Sequence, residues 1–194
     1  MCLTLATGYK IEDMNMQKLW LVLSKDGFVC ADNLKIISKI AEDNFIDNDS
    51  VSVFDNAKFD IDEMTDLAQT VSFFGDRLII IKDFDIADLS DEYVEKLCGI
   101  ISDSEGTHFA IALTYDEEKT ITSKKYAPLL DIAKQQGMLH IVKEINDKYL
   151  AELAQEKAKR LGASLDKETA NYIVQNVGKN ISLIMCEVEK YAAA

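Results

Sequence analysis

The chain has 194 residues, enough for one ordinary domain or two modest ones. Hydrophobic residues make up 48% and charged residues 28%, the balance of a soluble globular protein. The formal charge is −13, from 34 acidic and 21 basic residues, and it repels a phosphate backbone unless a separate basic patch exists. The densest basic stretches, Lys124-Lys125 and Lys157-Ala158-Lys159-Arg160, are short, so DNA contact is expected only indirectly, through partners. Cys2, Cys30, Cys98 and Cys186 are scattered, with no pair at metal-ligand spacing. Neither structural zinc nor a disulfide framework is expected, which fits a reducing cytoplasm. No apolar run approaches the roughly 18–20 residues of a membrane span, and no secretion signal opens the chain.

Residues 1–17 are irregular and read as an N-terminal extension. Leu19-Trp20-Leu21-Val22-Leu23 is a continuous apolar run of the kind buried on both faces of a sheet. Asp32 can cap a helix whose apolar face carries Leu34, Ile37, Ile40 and Ala41. Val51–Phe54 predicts a second strand. Asp60 and Glu63 have capping-box spacing at the head of a helix reaching about Thr70. Leu78–Ile81 carries the strongest strand pattern. Ser90, followed by Asp91 and Glu92, opens a helix that buries Val94, Leu97 and Ile101. Phe109–Leu113 predicts a strand, and Asp116–Lys119 a polar loop. Pro128 suits a first helical turn and Gly137 the position after its end, before a last strand at Met138–Val142.

Strands alternating with helices predict a mostly parallel sheet covered on both faces. The rhythm changes near residues 143–146. Asn146–Leu161 closed by Gly162, Asp166–Val177 closed by Gly178, and a helix capped by Asn180 predict a small bundle of three helices. The domain organisation is therefore 1–17, 18–143 and 144–194.

Phosphate chemistry is the first activity to test on such a plan. A P-loop needs glycines that let backbone N–H groups wrap the phosphates, then Lys and Ser/Thr. The first strand is instead followed by Ser24-Lys25-Asp26-Gly27-Phe28, and Gly178-Lys179 continues with Asn180 at a helix end. Asp83 and Asp85 stand where P-loop ATPases hold magnesium, but solvated acids at a strand end are the plainer reading. His108 and His140 border strands, where packing or surface roles prevail over catalysis. Arg160 reads as part of a solvated helix face. GxSxG, HExxH and GxGxxG patterns are absent, so no catalytic residue, cofactor or metal ligand is assigned.

The segment from Ala68 to Arg77 stands apart. Val71, Phe73 and Phe74 are large apolar residues at a helix end, beside Gly75. Either they close the core beneath the turn, or they project as an anchor into a partner's pocket. Burying one Phe is worth roughly 1.5–3 kcal/mol, so two could form much of a hot spot.

The stretch Asp66–Phe84, with its Gln69-Thr70, a small apolar wedge, Arg77, and an apolar strand closing in Lys82-Asp83, resembles the delta subunit of the bacterial DNA polymerase III clamp loader. Val177–Tyr191 is similar to that family's second-domain ending, and the resemblance spans about residues 19–192. It implies a degenerate AAA+-like α/β domain without a P-loop, followed by a three-helix lid. It also implies a wedge of Val71, Phe73 and Phe74, framed by Gln69, Ser72 and Arg77, that enters the beta sliding clamp and opens it. Implied partners are the clamp and other clamp-loader subunits, which would hydrolyse ATP. No catalysis by this chain is expected, although the holoenzyme containing such a subunit is a DNA-directed DNA polymerase, a nucleotidyltransferase. The family's third, collar domain does not lie within these residues, so a shortened form or a natural short relative is expected. Ser24-Lys25-Asp26-Gly27 departs from the family's Gly-acid-acid turn. The alternatives are a divergent AAA+-like ATPase using Asp83 and Asp85 for magnesium, and an α/β adaptor binding an unrelated protein.

Overall fold

The computed structural model describes residues 16–44, 46, 48–55, 60–70, 75–142 and 145–193. These fall into two compact units, 16–142 and 145–193. In the first, β1 (Leu19–Ser24), β2 (Val51–Asp55), β3 (Arg77–Asp85), β4 (Thr107–Thr114) and β5 (Gly137–Val142) form one sheet in the order β2-β3-β4-β1-β5. Every pairing is parallel, which the intervening helices α1 (Gly27–Asp43), α2 (Ile61–Gln69), α3 (Asp91–Asp103), α4 (Glu118–Ile121) and α5 (Ala127–Gln136) make possible.

Side chains alternate between the two faces of a strand. Leu19, Leu21, Leu23, Ile79, Ile81, Phe109 and Ile111 share one face and pack with Met64 of α2, Leu97 of α3 and Leu129 of α5. The opposite face carries Trp20, Val22, Leu78, Ile80, Ala110 and Ala112, all buried, and α1 lies against β1, β3 and β4. Burial on both faces is why β1, β3 and β4 read as unbroken apolar runs.

Gly137 ends α5 and begins β5 in one step. A Cβ there would lie 1.9 Å from the carbonyl oxygen of Leu19, so β5 can pair with β1 at this register only through glycine. Its φ of −161° is ordinary extended backbone, so the constraint is steric.

Three sequence expectations need correction. Asp32 does not cap the first helix. Asp26 does, its carboxylate accepting from the Phe28 N–H at 2.8 Å, and Asp32 lies within α1. The buried Val29 and Cys30 extend the apolar face upstream, so the helix starts at Gly27. The third strand continues past Ile81 to Asp85, because a bulge between Ile81 and Phe84 absorbs the polar Lys82-Asp83 and lets Phe84 pair with Leu113. Asp83 takes φ 62° at that bulge. Finally, part of the polar loop at 116–119 winds into the single turn α4.

The second unit contains α6 (Asp147–Arg160), α7 (Lys167–Val177) and α8 (Ile181–Ala193). Asn146, Asp166 and Asn180 cap them, accepting from the N–H groups of Tyr149, Thr169 and Leu183. Leu150, Ala154, Val174, Ile184 and Val188 are buried between them. Lys157 on α6 pairs with Glu189 on α8 at 2.7 Å. Among the described residues no helix is long and apolar enough to cross a membrane.

Candidate protein-docking edge of the sheet

A parallel sheet has two unlike ends. In open α/β folds, small ligands bind outside the carboxyl ends of the strands. There the β1–α1 connection is only Lys25-Asp26. The Asp26 carboxylate occupies the helix N-terminus, the place where a backbone cradle would otherwise meet an anion. A negative group already holding the Phe28 N–H both blocks and repels a phosphate. Asp83 is ion-paired with Lys82 at 3.1 Å, and Asp85 caps a short 3₁₀ turn by accepting from the Ala87 N–H at 2.8 Å. Both acids therefore serve local structure. Cys30 lies beneath this end with its Sγ 3.4 Å from the Leu113 carbonyl oxygen, and burial pushes its thiol up to about 12. It is an inert packing group. Among the described residues no group of three His, Cys, Asp or Glu side chains could hold a metal ion.

The opposite, amino end of the sheet is built differently. α2 ends at Gln69, and β3 begins at Arg77. Thr70 closes the helix, donating its N–H to the Asp66 carbonyl at 3.1 Å and its hydroxyl to the same oxygen at 2.6 Å. The Arg77 guanidinium donates to the Leu67 carbonyl, with a longer approach of 3.5 Å to that of Thr70. Arg77 thus satisfies helix-end carbonyls that have no intrahelical partner and ties the end of α2 to the start of β3. Its own N–H donates to Gly106 at 2.8 Å, and Thr107 Oγ1 donates to the Ala68 carbonyl at 3.3 Å. Gly75, at φ 102°, supplies a backbone conformation that other residues rarely adopt.

Of the sequence-predicted site residues, Gln69 is exposed at the end of α2 and Arg77 is half-buried at the head of β3. Gln69, Thr70, Gly75 and Asp76 line one concavity with the start of β4. Val71, Ser72, Phe73 and Phe74 lie outside the described residues. His108 stands at the same end, with Nδ1 2.7 Å from the Gln17 carbonyl oxygen and Nε2 3.4 Å from Asp76. It braces the chain entering β1 against β4. His140 is buried on β5, and desolvation holds its imidazole below the ordinary value. Sequence reasoning missed Asp26. An aspartate two residues before an aromatic, at the start of an apolar helical face, was the available signal, and the adjoining glycine disguised it as a turn.

The fold is AAA+-like: one unit is a five-stranded parallel α/β sheet and the other a bundle of three helices. Among solved structures, the chain is similar to the Bacillus subtilis DNA clamp loader delta protein YqeN, with TM-score 0.64 and 18% identity. That match covers 94% of this chain and 55% of the other, so the chain spans about half the length of the Bacillus protein. Domain III of the Thermotoga maritima replication initiation protein DnaA matches with TM-score 0.55 and 16% identity, over 93% of this chain and 77% of that one. The Thermotoga maritima RuvB Holliday junction branch migration motor matches with TM-score 0.52 and 14% identity, over 89% of this chain and 53% of that one. No protein-family model matches the chain, and no curated protein matches it in sequence.

Proposed function

We propose that this chain acts in DNA replication as a delta-type clamp-loader subunit, which grips a ring-shaped sliding clamp and opens it without hydrolysing ATP itself. The observation that carries the reading is the Arg77 tie. It holds the end of α2 against the head of β3 on either side of four residues, three of them large and apolar. Val71, Phe73 and Phe74 fill an apolar pocket on the clamp, framed by Gln69, Ser72 and Arg77. Pre-ordering both flanks lowers the entropy lost when such an anchor docks. The likeness in fold to the Bacillus clamp loader delta protein supports the same reading. So does Asp26 at the helix N-terminus, because a subunit that leaves ATP to its neighbours needs no phosphate cradle there. In this reading residues 18–143 contact the clamp, residues 144–194 form the lid, and the protein works in the cytoplasm beside the other loader subunits.

Calorimetric titration against the source organism's sliding clamp tests this, with a Phe73→Ala/Phe74→Ala variant alongside. Binding by the unaltered chain that weakens about a hundredfold in the variant is expected, from the loss of two buried aromatics. Equal binding by both moves the contact away from residues 71–74. Absence of binding by either removes the clamp reading altogether. Titration with magnesium ATP is expected to give no binding heat, and micromolar affinity would restore the divergent-ATPase alternative.

A further inference from the structure

Residues 145–193 carry seven acidic and seven basic side chains, so this unit is neutral within a chain of charge −13. It also holds three of the six large apolar side chains exposed among the described residues: Tyr172 at 66%, Leu183 at 54% and Tyr191 at 42%. α6 packs against both α7 and α8. Between α7 and α8 a groove of about 530 Å³ opens to solvent, walled by Tyr172, Ile173 and Val177 on one side and by Glu187, Lys190 and Tyr191 on the other. Leu183 extends the second wall by a turn, since it stands four residues before Glu187 and eight before Tyr191 on one helical face. The two charges of that wall cancel in an ion pair of 2.6 Å. The Tyr191 hydroxyl donates to the Ser164 carbonyl oxygen at 3.1 Å, which orients the ring before any partner arrives.

We infer that this groove docks an amphipathic helix of a partner protein, which presents an uncharged, apolar face to α7 and α8. Charge selects that face. A lysine or carboxylate placed in the groove finds Glu187 and Lys190 already paired, and it gives up its hydration without a counter-charge. Leucine-like side chains have no such cost and gain burial against two tyrosine rings. The walls select a helix. Both are helices whose backbone groups bond within themselves, so a strand laid there finds no ladder, whereas a helix arrives with its own backbone satisfied. α7 has 11 residues, a length of about 16 Å, which matches three turns of a partner helix anchored at every third or fourth residue. Charge also decides against a second copy of the chain as occupant, because each copy brings its −13 with it. The inference is independent of clamp binding, since all its residues lie within 145–193.

The probe is a fluorescein-labelled peptide of four helical turns, with leucine along one face and glutamine and alanine elsewhere, titrated by anisotropy into the full chain at physiological salt. A scrambled peptide of the same composition has its leucines on no common face, and it is expected to bind at least about tenfold more weakly. The same loss is expected when lysine replaces the central leucine, although a chain of charge −13 attracts cations at long range. Tyr172→Asp/Leu183→Asp is expected to weaken binding of the leucine peptide at least about tenfold, while Val53→Asp, at an exposed position of the other unit, moves it less than about twofold. Both groove positions are exposed, so the far-ultraviolet circular dichroism of the double variant is expected to stay unchanged. Sedimentation equilibrium of the chain alone is expected to return a monomer. No binding of the leucine peptide, undiminished binding of the scrambled or lysine peptide, equal losses in the two variants, or a dimer that Tyr172→Asp/Leu183→Asp dissolves would each overturn the proposal.

Discussion

Asp26 satisfies an amide that would otherwise end α1 unpaired, and it does so from the residue just before a glycine. Replacing it by alanine is expected to lower stability by about 1 kcal/mol, read as a lower urea midpoint at unchanged slope. Gly137 is a stricter position. Gly137→Ala drives a methyl group into the Leu19 carbonyl, and its cost is expected at or above the upper end of the ~1–3 kcal/mol usual for overpacking. Asp83 sits in left-handed backbone at the β3 bulge. There Asp83→Val is expected to cost about 1–2 kcal/mol in denaturant unfolding, while Asp83→Gly is nearly neutral. His140 adds a pH dependence of definite sign. Burial lowers its pKa from 6.5, so the unfolded chain takes up the proton first. The stability gained by keeping the ring neutral is complete above pH 6.5, falls as pH drops below it, and levels once the folded imidazole titrates. A His140→Phe variant removes this contribution. Unfolding curves at pH 7 and pH 5 are therefore expected to show a larger acid loss in the unaltered chain than in the variant.

At the scale of the elements, the connection from α2 to β3 depends on one guanidinium. Arg77→Met leaves the Leu67 carbonyl without its charged donor. A loss of about 1.5–3 kcal/mol is expected, with faster amide exchange at Ala68, Gln69 and Thr70 measured by hydrogen–deuterium exchange. Arg77→Lys keeps the charge but not the fork and recovers only part of it. Which elements could be read in advance follows from the same physics. β1, β3 and β4 are buried on both faces and so declare themselves as apolar runs. The caps Asp60, Ser90, Asn146, Asp166 and Asn180 were legible because a short polar side chain just before an apolar face has few other uses. α4 and the 3₁₀ turns at 48–50 and 86–88 were not legible, since three or four residues carry no period. The tail of β3 was hidden because its bulge breaks the alternation at Lys82 and Asp83. At the amino end of the sheet, Val71, Phe73, Phe74 and Arg77 stood out by composition. The carbonyls that Arg77 reaches did not, because they are backbone atoms seven and ten residues away that only the fold brings close.

For the molecule as a whole, the charge of −13 sets what it can touch. Direct binding to duplex DNA is expected to be weaker than the ~10⁻⁴–10⁻⁶ M usual for non-specific binders at physiological salt, as checked by fluorescence anisotropy with a labelled duplex. The two ends of the sheet are built differently. One is sealed by Asp26, and the other is tied by Arg77. β1 separates them by six residues, about 20 Å.

The chain has one tryptophan, and it sits fully buried on β1 between β4 and β5, its ring 6.3 Å from that of His108. Ultraviolet emission excited at the indole band therefore comes from a single site inside the sheet. Blue-shifted light and poor quenching by acrylamide accompany an intact sheet, and a red shift marks its opening. Emission that holds steady while a partner binds locates the encounter away from β1. The protein thus carries its own optical probe, with no label needed.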